Sequence, residues 1–153
     1  MSDPAITIAL GDPRTPSATA LLAQHHALMQ SLFPAESNHY LGAEALAAPD
    51  VRFLLATRGE QALGCAALAL RAGYGEVKSM FVDPAARGTG LAAQLLDRLE
   101  QIARDAALPR LMLETGDTLH AAHKLYARAG FTFCGPFGDY VEDPNSLFME
   151  KRL

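Results

Sequence analysis

The sequence feature that most constrains the fold is a change of hydrophobic period across residues 81–96, FVDPAARGTGLAAQLL. Residues 76–82 before it (EVKSMFV) are typical of a β-strand. After it, apolar residues recur at every third or fourth position and predict one face of an amphipathic helix. The members of that face are Leu91, Leu95, Leu99, Ile102, Ala103 and Ala106. Residues 83–90 are therefore predicted to form a tight loop that leads from a strand into a helix.

The rest of the sequence predicts short strands and helices in a definite order. We expect strands at 5–10, 51–57, 62–70, 76–82, 110–115, 131–134 and 147–153, and helices at about 15–33, 42–47, 91–106 and 118–129. Gly116-Asp117 is expected to cap the last helix. Three consecutive strands, followed by alternating strands and helices, predict an α/β domain (α+β type) with a mixed central sheet. No break in composition marks a linker, so residues 1–153 are expected to form a single domain.

Composition argues against several classes of function. The net charge of −4 disfavours general nucleic-acid binding, which needs a basic face. Cys65 and Cys134 are the two cysteines, and their spacing predicts neither a disulfide framework nor a metal site. No apolar run is long enough for a membrane span, and MSDPAITIAL lacks the pattern of a signal peptide. We therefore expect a cytoplasmic protein with no metal, no nucleic-acid partner and no membrane partner.

The loop at residues 83–90 has the composition of an anion-binding site. The first amide groups of a helix lack internal acceptors, and the helix dipole makes that end positive. Gly88 and Gly90 would let a phosphate approach the backbone, and Arg87 would add a charge-assisted contact. The loop lacks the Gly-Lys-Ser/Thr ending of a P-loop and the third glycine of a dinucleotide fingerprint. By itself, a Gly-x-Gly sequence is more often a simple turn.

Two segments together resemble the GNAT superfamily of N-acetyltransferases. VDPAARGTGLAAQLL is similar to the family's V-x-P turn and Arg/Gln-x-x-Gly-x-Gly/Ala loop, and AHKLYARAGF is similar to its A-x-x-L-Y-x-x-x-G-F helix. The runs PAESNHY, GEVKSM, LETG, KLY and DYVEDPNSLFM extend the resemblance to the YsnE-type branch of bacterial acetyltransferases. The resemblance implies the GNAT fold, with about six to seven strands in a mixed sheet and helices on both faces.

The resemblance also implies where acetyl-CoA is held. The backbone of the loop and helix start, Arg87, Gly88, Thr89, Gly90, Leu91 and Ala92, would bind the pyrophosphate. Phe81 and Val82 would pair with the pantetheine arm, and the Met80 N–H would stabilise the oxyanion. Tyr126 would lie near the sulfur and donate a proton to the leaving thiolate, or else be a core aromatic residue of its helix.

The acceptor side is less well defined. Glu76 is the predicted general base, because it lies four residues before Met80, where protein-lysine-acetylating members carry their glutamate. The alternative is a structural Glu76 paired with Lys78. The predicted substrate-binding residues, from two polar loops, are Glu36, His39, Tyr40 and Tyr140. The family's asparagine seven residues before the tyrosine is replaced here by Leu119, which affects positioning of the coenzyme arm.

These residues predict an acetyl-CoA-dependent N-acetyltransferase that acts by direct transfer to a primary amine of a small or amino-acid-like molecule. Protein lysine acetylation is the alternative enzymatic function. Two non-enzymatic functions also remain open, a non-catalytic acyl-CoA-binding regulatory module and a nucleotide-binding module. A homodimer is a further expectation from the resemblance alone.

Overall fold

The computed structural model describes residues 5–153. Residues 1–4 lie outside the described residues. They include the start of the predicted single domain and of the segment in which we expect no signal peptide. The strands are β1 (Thr7–Leu10), β2 (Val51–Arg58), β3 (Gln61–Arg71), β4 (Tyr74–Val82), β5 (Arg110–Gly116), β6 (Thr132–Cys134) and β7 (Ser146–Arg152). The helices are α1 (Pro16–Leu32), α2 (Ala43–Leu46), α3 (Leu91–Asp105) and α4 (His120–Arg128).

The seven strands form one mixed sheet in the order β1-β2-β3-β4-β5-β7-β6. Neighbouring strands are antiparallel everywhere except between β4 and β5, which run parallel. The connection between these two strands passes through α3, as a parallel crossover requires. The mixed α/β sheet and its predicted strand number are therefore confirmed.

Helices cover both faces of this sheet, which confirms the predicted layers. The α3 face buries the predicted stripe, with Leu95 and Leu99 fully inaccessible against strand residues such as Leu111. On the other face, Ala18, Leu21 and Leu22 of α1 pack on β2, β3 and β4. Among residues 5–153, no helix is both long and apolar enough to cross a bilayer.

Local sequence explains where the two long helices begin. The Thr15 side chain accepts a hydrogen bond from the Ala18 N–H at 3.4 Å, and Pro16 occupies the first turn of α1. Helix α3 starts after Gly90, whose φ of +81° is a left-handed conformation that glycine adopts at little cost. The predicted cap at Gly116-Asp117 is wrong. Gly116 stays in β5, the Asp117 N–H bonds to the Asn145 carbonyl, and α4 follows Leu119 without a side-chain cap.

Candidate active site

The site is created where the two parallel strands separate. The register pairs β4 and β5 only at Gly75 with Leu111 and at Glu76 with Met112. Beyond Glu76 the strands diverge, so the second half of β4 has no strand beside it on that edge. Its backbone groups are left available to an extended ligand, which can bind as an additional strand would.

A bulge on the other edge of β4 frees the same stretch further. The β3 register pairs Cys65 with Phe81 and Ala67 with Lys78, so two β4 residues, Ser79 and Met80, oppose one residue of β3. Ser79 adopts a φ of +53°, which is uncommon for a residue with a side chain. Strained backbone of this kind clusters at functional sites. The bulge also interrupts the alternation of side chains along β4. As a result, Lys78 and Phe81 both lie on the α1 side of the sheet.

The loop after β4 presents open backbone at the start of α3. Gly88 and Gly90 have φ values of +80° and +81°, and nothing lies within 4 Å of the position where either would carry a Cβ. The Asp83 side chain accepts from the Ala85 N–H at 2.9 Å, and the Thr89 hydroxyl donates to the Ala86 carbonyl at 2.6 Å. These two contacts fix the loop, while Arg87 stays exposed at its surface. Leu91 turns into the core at 3% exposure, so it contributes only its backbone to this surface.

A cleft of about 700 Å³ follows the gap between β4 and β5 and continues to α1 and α4. Of the predicted coenzyme residues, the side chains or backbone of Met80, Phe81, Val82, Arg87, Ala92 and Tyr126 line it. Gly88, Thr89, Gly90 and Leu91 lie beside its α3 end and are not part of its wall. The structure thus brings the strand, the loop and Tyr126 of α4 to one cavity.

Tyr126 is the residue of α4 that is buried most deeply in this wall. It is 6% exposed and packs within the core under α3. Burial raises the pKa of Tyr126 above that of free tyrosine, and the charge of Glu114 raises it further. The phenol is therefore protonated at neutral pH and can donate a hydrogen bond to an anion in the cleft.

Glu76 lies deeper than its predicted role as base requires. It is 4% exposed and does not form part of the cleft wall. Tyr140 donates to its carboxylate at 2.6 Å, and the Lys78 Nζ and Arg71 Nε lie 3.4 Å and 3.6 Å from its oxygens. Pairing with Lys78, the alternative from the sequence, is therefore present in the structure.

The predicted substrate residues divide into two groups. His39 and Tyr40 line the cleft, and Tyr40 stacks on the His26 ring with centroids 4.0 Å apart. Tyr140 lies behind Lys78, whose Nζ donates to the Tyr140 hydroxyl at 2.8 Å and to the His39 carbonyl at 2.7 Å. Glu36 is exposed in the 3₁₀ turn Ala35–Ser37 and is not part of the cleft wall. Lys78 therefore ties both acceptor-side loops to β4.

The cleft wall also includes residues of α1 and of the end of β5. They are His25, Leu28, Met29 and Phe33 of α1 and Glu114, Thr115 and Gly116 of β5. Burial lowers the pKa of His25 to about 4, so its ring is neutral at pH 7. Helical spacing of His25, Met29 and Phe33 could have indicated a shared face, but not which strands it covers.

Comparison with known proteins identifies the family of this architecture. The model of the Acetyltransferase (GNAT) family matches residues 21–131, which include β4, the glycine loop and α4. An IAA acetyltransferase of Azospirillum brasilense is 47% identical over 152 residues, covering 98% of this chain and 99% of that protein. The uncharacterised N-acetyltransferase YsnE of Bacillus subtilis (strain 168) is 41% identical over 88% of this chain and 91% of its own.

A solved structure shows the same fold. A Klebsiella pneumoniae chain named as an acyl-CoA N-acyltransferase superposes with a TM-score of 0.81 at 35% sequence identity, covering 97% of each chain. These relatives thus carry the same domain over nearly the whole length of this chain. In this chain, the domain contains the splayed parallel strands, the glycine loop and the buried tyrosine.

Proposed function

Because this chain belongs to the GNAT family and is an acetyl-CoA-dependent acetyltransferase, we propose that it transfers the acetyl group directly to the primary amine of a small or amino-acid-like molecule. The observation that carries the proposal is the cleft between β4 and β5. It leads from the open glycine loop, past the unpaired backbone of Met80, to the part lined by α1, His39 and Tyr40, which we call the acceptor chamber.

Coenzyme binding follows from groups of this chain. The bare amides at Gly88, Thr89, Gly90 and the start of α3 suit a pyrophosphate, and Arg87 adds a cation. Met80, Phe81 and Val82 offer strand backbone to the pantetheine arm, and the Met80 N–H is our candidate for the oxyanion contact. When bound, acetyl-CoA supplies the activated acyl carbon. Tyr126 donates a hydrogen bond to the departing sulfur.

Direct transfer, rather than an acetyl-cysteine, is supported by both thiols. Cys65 is inaccessible, donates to the Ser79 carbonyl at 3.1 Å, and has its pKa raised to about 12 by burial. A neutral, inaccessible thiol is a poor nucleophile. Cys134 lies on β6, and it does not line the cleft.

The general base and acceptor contacts remain predictions. Glu76 could accept a proton only through the Tyr140 hydroxyl or after Lys78 moves, because these side chains enclose its carboxylate. His39 and Tyr40 reach the acceptor chamber directly, whereas Glu36 and Tyr140 would act through their loops. A cytoplasmic location and a homodimer also stay expectations of this proposal.

The test is thiol release from acetyl-CoA across a panel of primary amines, amino acids, amino acid amides and lysine peptides. IAA, the compound in the name of the Azospirillum relative, belongs in the same panel. Amine-dependent release of one CoA thiol per acetylated small amine supports the proposal. Tight acetyl-CoA binding with release only for lysine peptides, or for no acceptor at all, contradicts it.

A further inference from the structure

We propose that Lys78 is an internal acceptor, whose side-chain amine takes the acetyl group from bound acetyl-CoA when no external amine is present. The modification site lies in the transfer cleft itself, and the chemical class of its donor is an acyl-CoA. This inference goes beyond the proposed function. It shares the proposed coenzyme site, but it needs no small-molecule acceptor.

Lys78 is the one lysine among residues 5–153 that lines the cleft. It comes two residues before Met80, whose N–H is the candidate for the oxyanion contact. On the α1 side of the sheet, the Lys78 Nζ donates to the His39 carbonyl at 2.7 Å. Because His39 lines the acceptor chamber, the Lys78 amine lies on the side from which an external amine would approach.

The Lys78 amine is also close to a carboxylate that can take its proton. The Lys78 side chain is 9% exposed, and its Nζ lies 3.4 Å from a Glu76 oxygen. Lys78 and Tyr140 enclose this carboxylate, so the amine that Glu76 contacts is one from the protein itself. A proton passed from Lys78 to Glu76 neutralises both members of the pair, and neither is left as a lone buried charge.

The contacts that hold Lys78 can be replaced after the reaction. Its Nζ donates to the His39 carbonyl and to the Tyr140 hydroxyl, at 2.7 and 2.8 Å. The long, flexible stem of lysine lets the amine leave these partners and reach into the cleft. An acetylated Lys78 keeps one N–H for either partner, and Tyr140 keeps its 2.6 Å hydrogen bond to Glu76. The modified side chain is therefore compatible with the fold.

The step balances with these groups. One N–H bond of the Lys78 ammonium breaks, and its proton bonds to a Glu76 oxygen. The freed electron pair forms the N–C bond to the acetyl carbon, while the Met80 N–H stabilises the oxygen. The C–S bond then breaks, and its electrons leave on sulfur, which accepts a hydrogen bond from Tyr126. The second proton lost by the nitrogen ends on that thiolate, and Glu76 returns its own proton to water.

Acetylation of Lys78 would inactivate the acceptor chamber. Lys78 would lose its positive charge, and with it the ion pair to Glu76. It would also keep only one of the two hydrogen bonds that tie the His39 and Tyr140 loops to β4. The added acetyl group would take up space beside His39. A protein that holds acetyl-CoA without an acceptor would thereby switch itself off.

The two other lysines of the chain provide an internal comparison. Lys124 is exposed on α4, and the Lys151 Nζ donates to the Glu100 carboxylate. Neither of them lines the transfer cleft. In free solution, acetyl-CoA reaches an exposed lysine more readily than a buried one. Preferential modification of Lys78 would therefore require coenzyme bound beside it.

The experiment incubates the full chain with saturating acetyl-CoA and no amine, and locates acetyl groups by peptide mass spectrometry. Lys78 should be acetylated at least about tenfold faster than Lys124, because the bound donor is held next to it. The rate constant should not depend on protein concentration. Excess free CoA should suppress the reaction at Lys78 and leave that at Lys124 unchanged. Lys78→Arg should lose the fast gain of one acetyl mass, and Lys124→Arg is the matched control that should retain it.

Several results would overturn this inference. They are preferential acetylation of Lys124 or of the N-terminal amine, a rate constant that rises with protein concentration, and a Lys78 reaction that excess CoA does not suppress. These results are obtained with the wild type, so they hold even if Lys78→Arg fails to fold. For any amine that the protein acetylates, activity should fall in proportion to the fraction of Lys78 modified. Unchanged activity would refute the inactivation.

Failure of this inference is distinguishable from failure of the proposed function. Acetylated Lys78 with no reaction toward any amine of the panel would contradict the proposed function and support the internal acceptor. Acetylation of a small amine, with Lys78 unmodified when that amine is left out, would support the proposed function and overturn the internal acceptor.

Discussion

The Tyr140 hydroxyl donates a 2.6 Å hydrogen bond to the buried carboxylate of Glu76, 64 residues away in the sequence. The same hydroxyl accepts from Lys78 at 2.8 Å, so it links both ends of a buried ion pair. Hydrogen bonds to buried charges contribute about 1.5–3 kcal/mol each. Tyr140→Phe should therefore lower the free energy of unfolding by about that amount, measured by urea denaturation at pH 7.

Tyr74→Phe is the matched control for this prediction. Tyr74 packs edge-on against Phe137 in the same aromatic cluster, with ring centroids 5.6 Å apart. Because this contact is made by the ring, loss of the Tyr74 hydroxyl should change stability by less than about 0.5 kcal/mol. Equal effects of the two substitutions would mean that the Tyr140 hydroxyl contributes nothing beyond packing.

The glycine loop provides a test of coenzyme binding. Gly90→Glu should weaken acetyl-CoA binding at least about tenfold in calorimetry, because a carboxylate would occupy the space proposed for the pyrophosphate. Gly59→Glu controls for charge and backbone strain, since Gly59 has a φ of +60° and open space around it in the β2–β3 turn. Normal binding by the Gly90 variant would place the pyrophosphate elsewhere.

The Tyr126 hydroxyl should affect catalysis and not coenzyme affinity. Tyr126→Phe keeps the ring that packs under α3, so the fold and the Kd for acetyl-CoA should change little. Loss of the hydrogen bond to the leaving sulfur should lower kcat about 10²-fold. Because burial raises the pKa of Tyr126, the phenol should stay protonated in alkaline assays. Up to about pH 10, the wild type should therefore show no loss of activity that is absent from the variant. An unchanged kcat would reduce Tyr126 to a core aromatic residue.

Much of the fold was predictable from the sequence because local patterns determine it. The α3 stripe, the Gly90 conformation and the stop at Phe33 each depend on residues close in sequence. The predicted cap at Asp117 is wrong because α4 begins only after Leu119, and the Asp117 backbone is instead bonded to the Asn145 carbonyl, a contact made only after β5 and β7 pair. Local patterns were reliable where no distant strand competed for the same backbone groups.

The acceptor side was less predictable for the same reason. Position in the sequence selected Glu76, yet the Tyr140 hydroxyl that encloses it comes from a distant loop. The bulge at Ser79 alters which β4 residues share a face, and alternation alone does not reveal it. The widening gap beside Glu114 becomes apparent only from the β4–β5 register. Such features arise from pairing between distant segments, to which hydrophobic periodicity is blind.

His25 should make the protein sensitive to acid. Burial, and to a smaller extent the charge of neighbouring His26, lowers the pKa of His25 from 6.5 to about 4. The folded state thus favours the neutral ring. The contribution of His25 to the free energy of unfolding is therefore fully present above pH 6.5 and is lost as the pH falls toward 4. The loss is about 3 kcal/mol. Urea denaturation at pH 7 and pH 4.5 should show a smaller difference for His25→Gln than for the wild type, whereas equal differences would refute a buried neutral His25.

Phe33 and Gly116 should be energetically coupled, because the Phe33 ring occupies the space where a side chain at 116 would lie. A Cβ on Gly116 would come within 2.7 Å of the ring atom Cε2, and closer still to Cζ. Gly116→Ala should therefore destabilise the protein by about 1–3 kcal/mol. Gly135→Ala, with nothing within 4 Å of its Cβ position, should be nearly neutral. The double variant with Phe33→Leu should lose about 1 kcal/mol less stability than the sum of the losses in the two single variants. Additive losses would show that the Phe33 ring moves aside freely and leaves room for a side chain at residue 116.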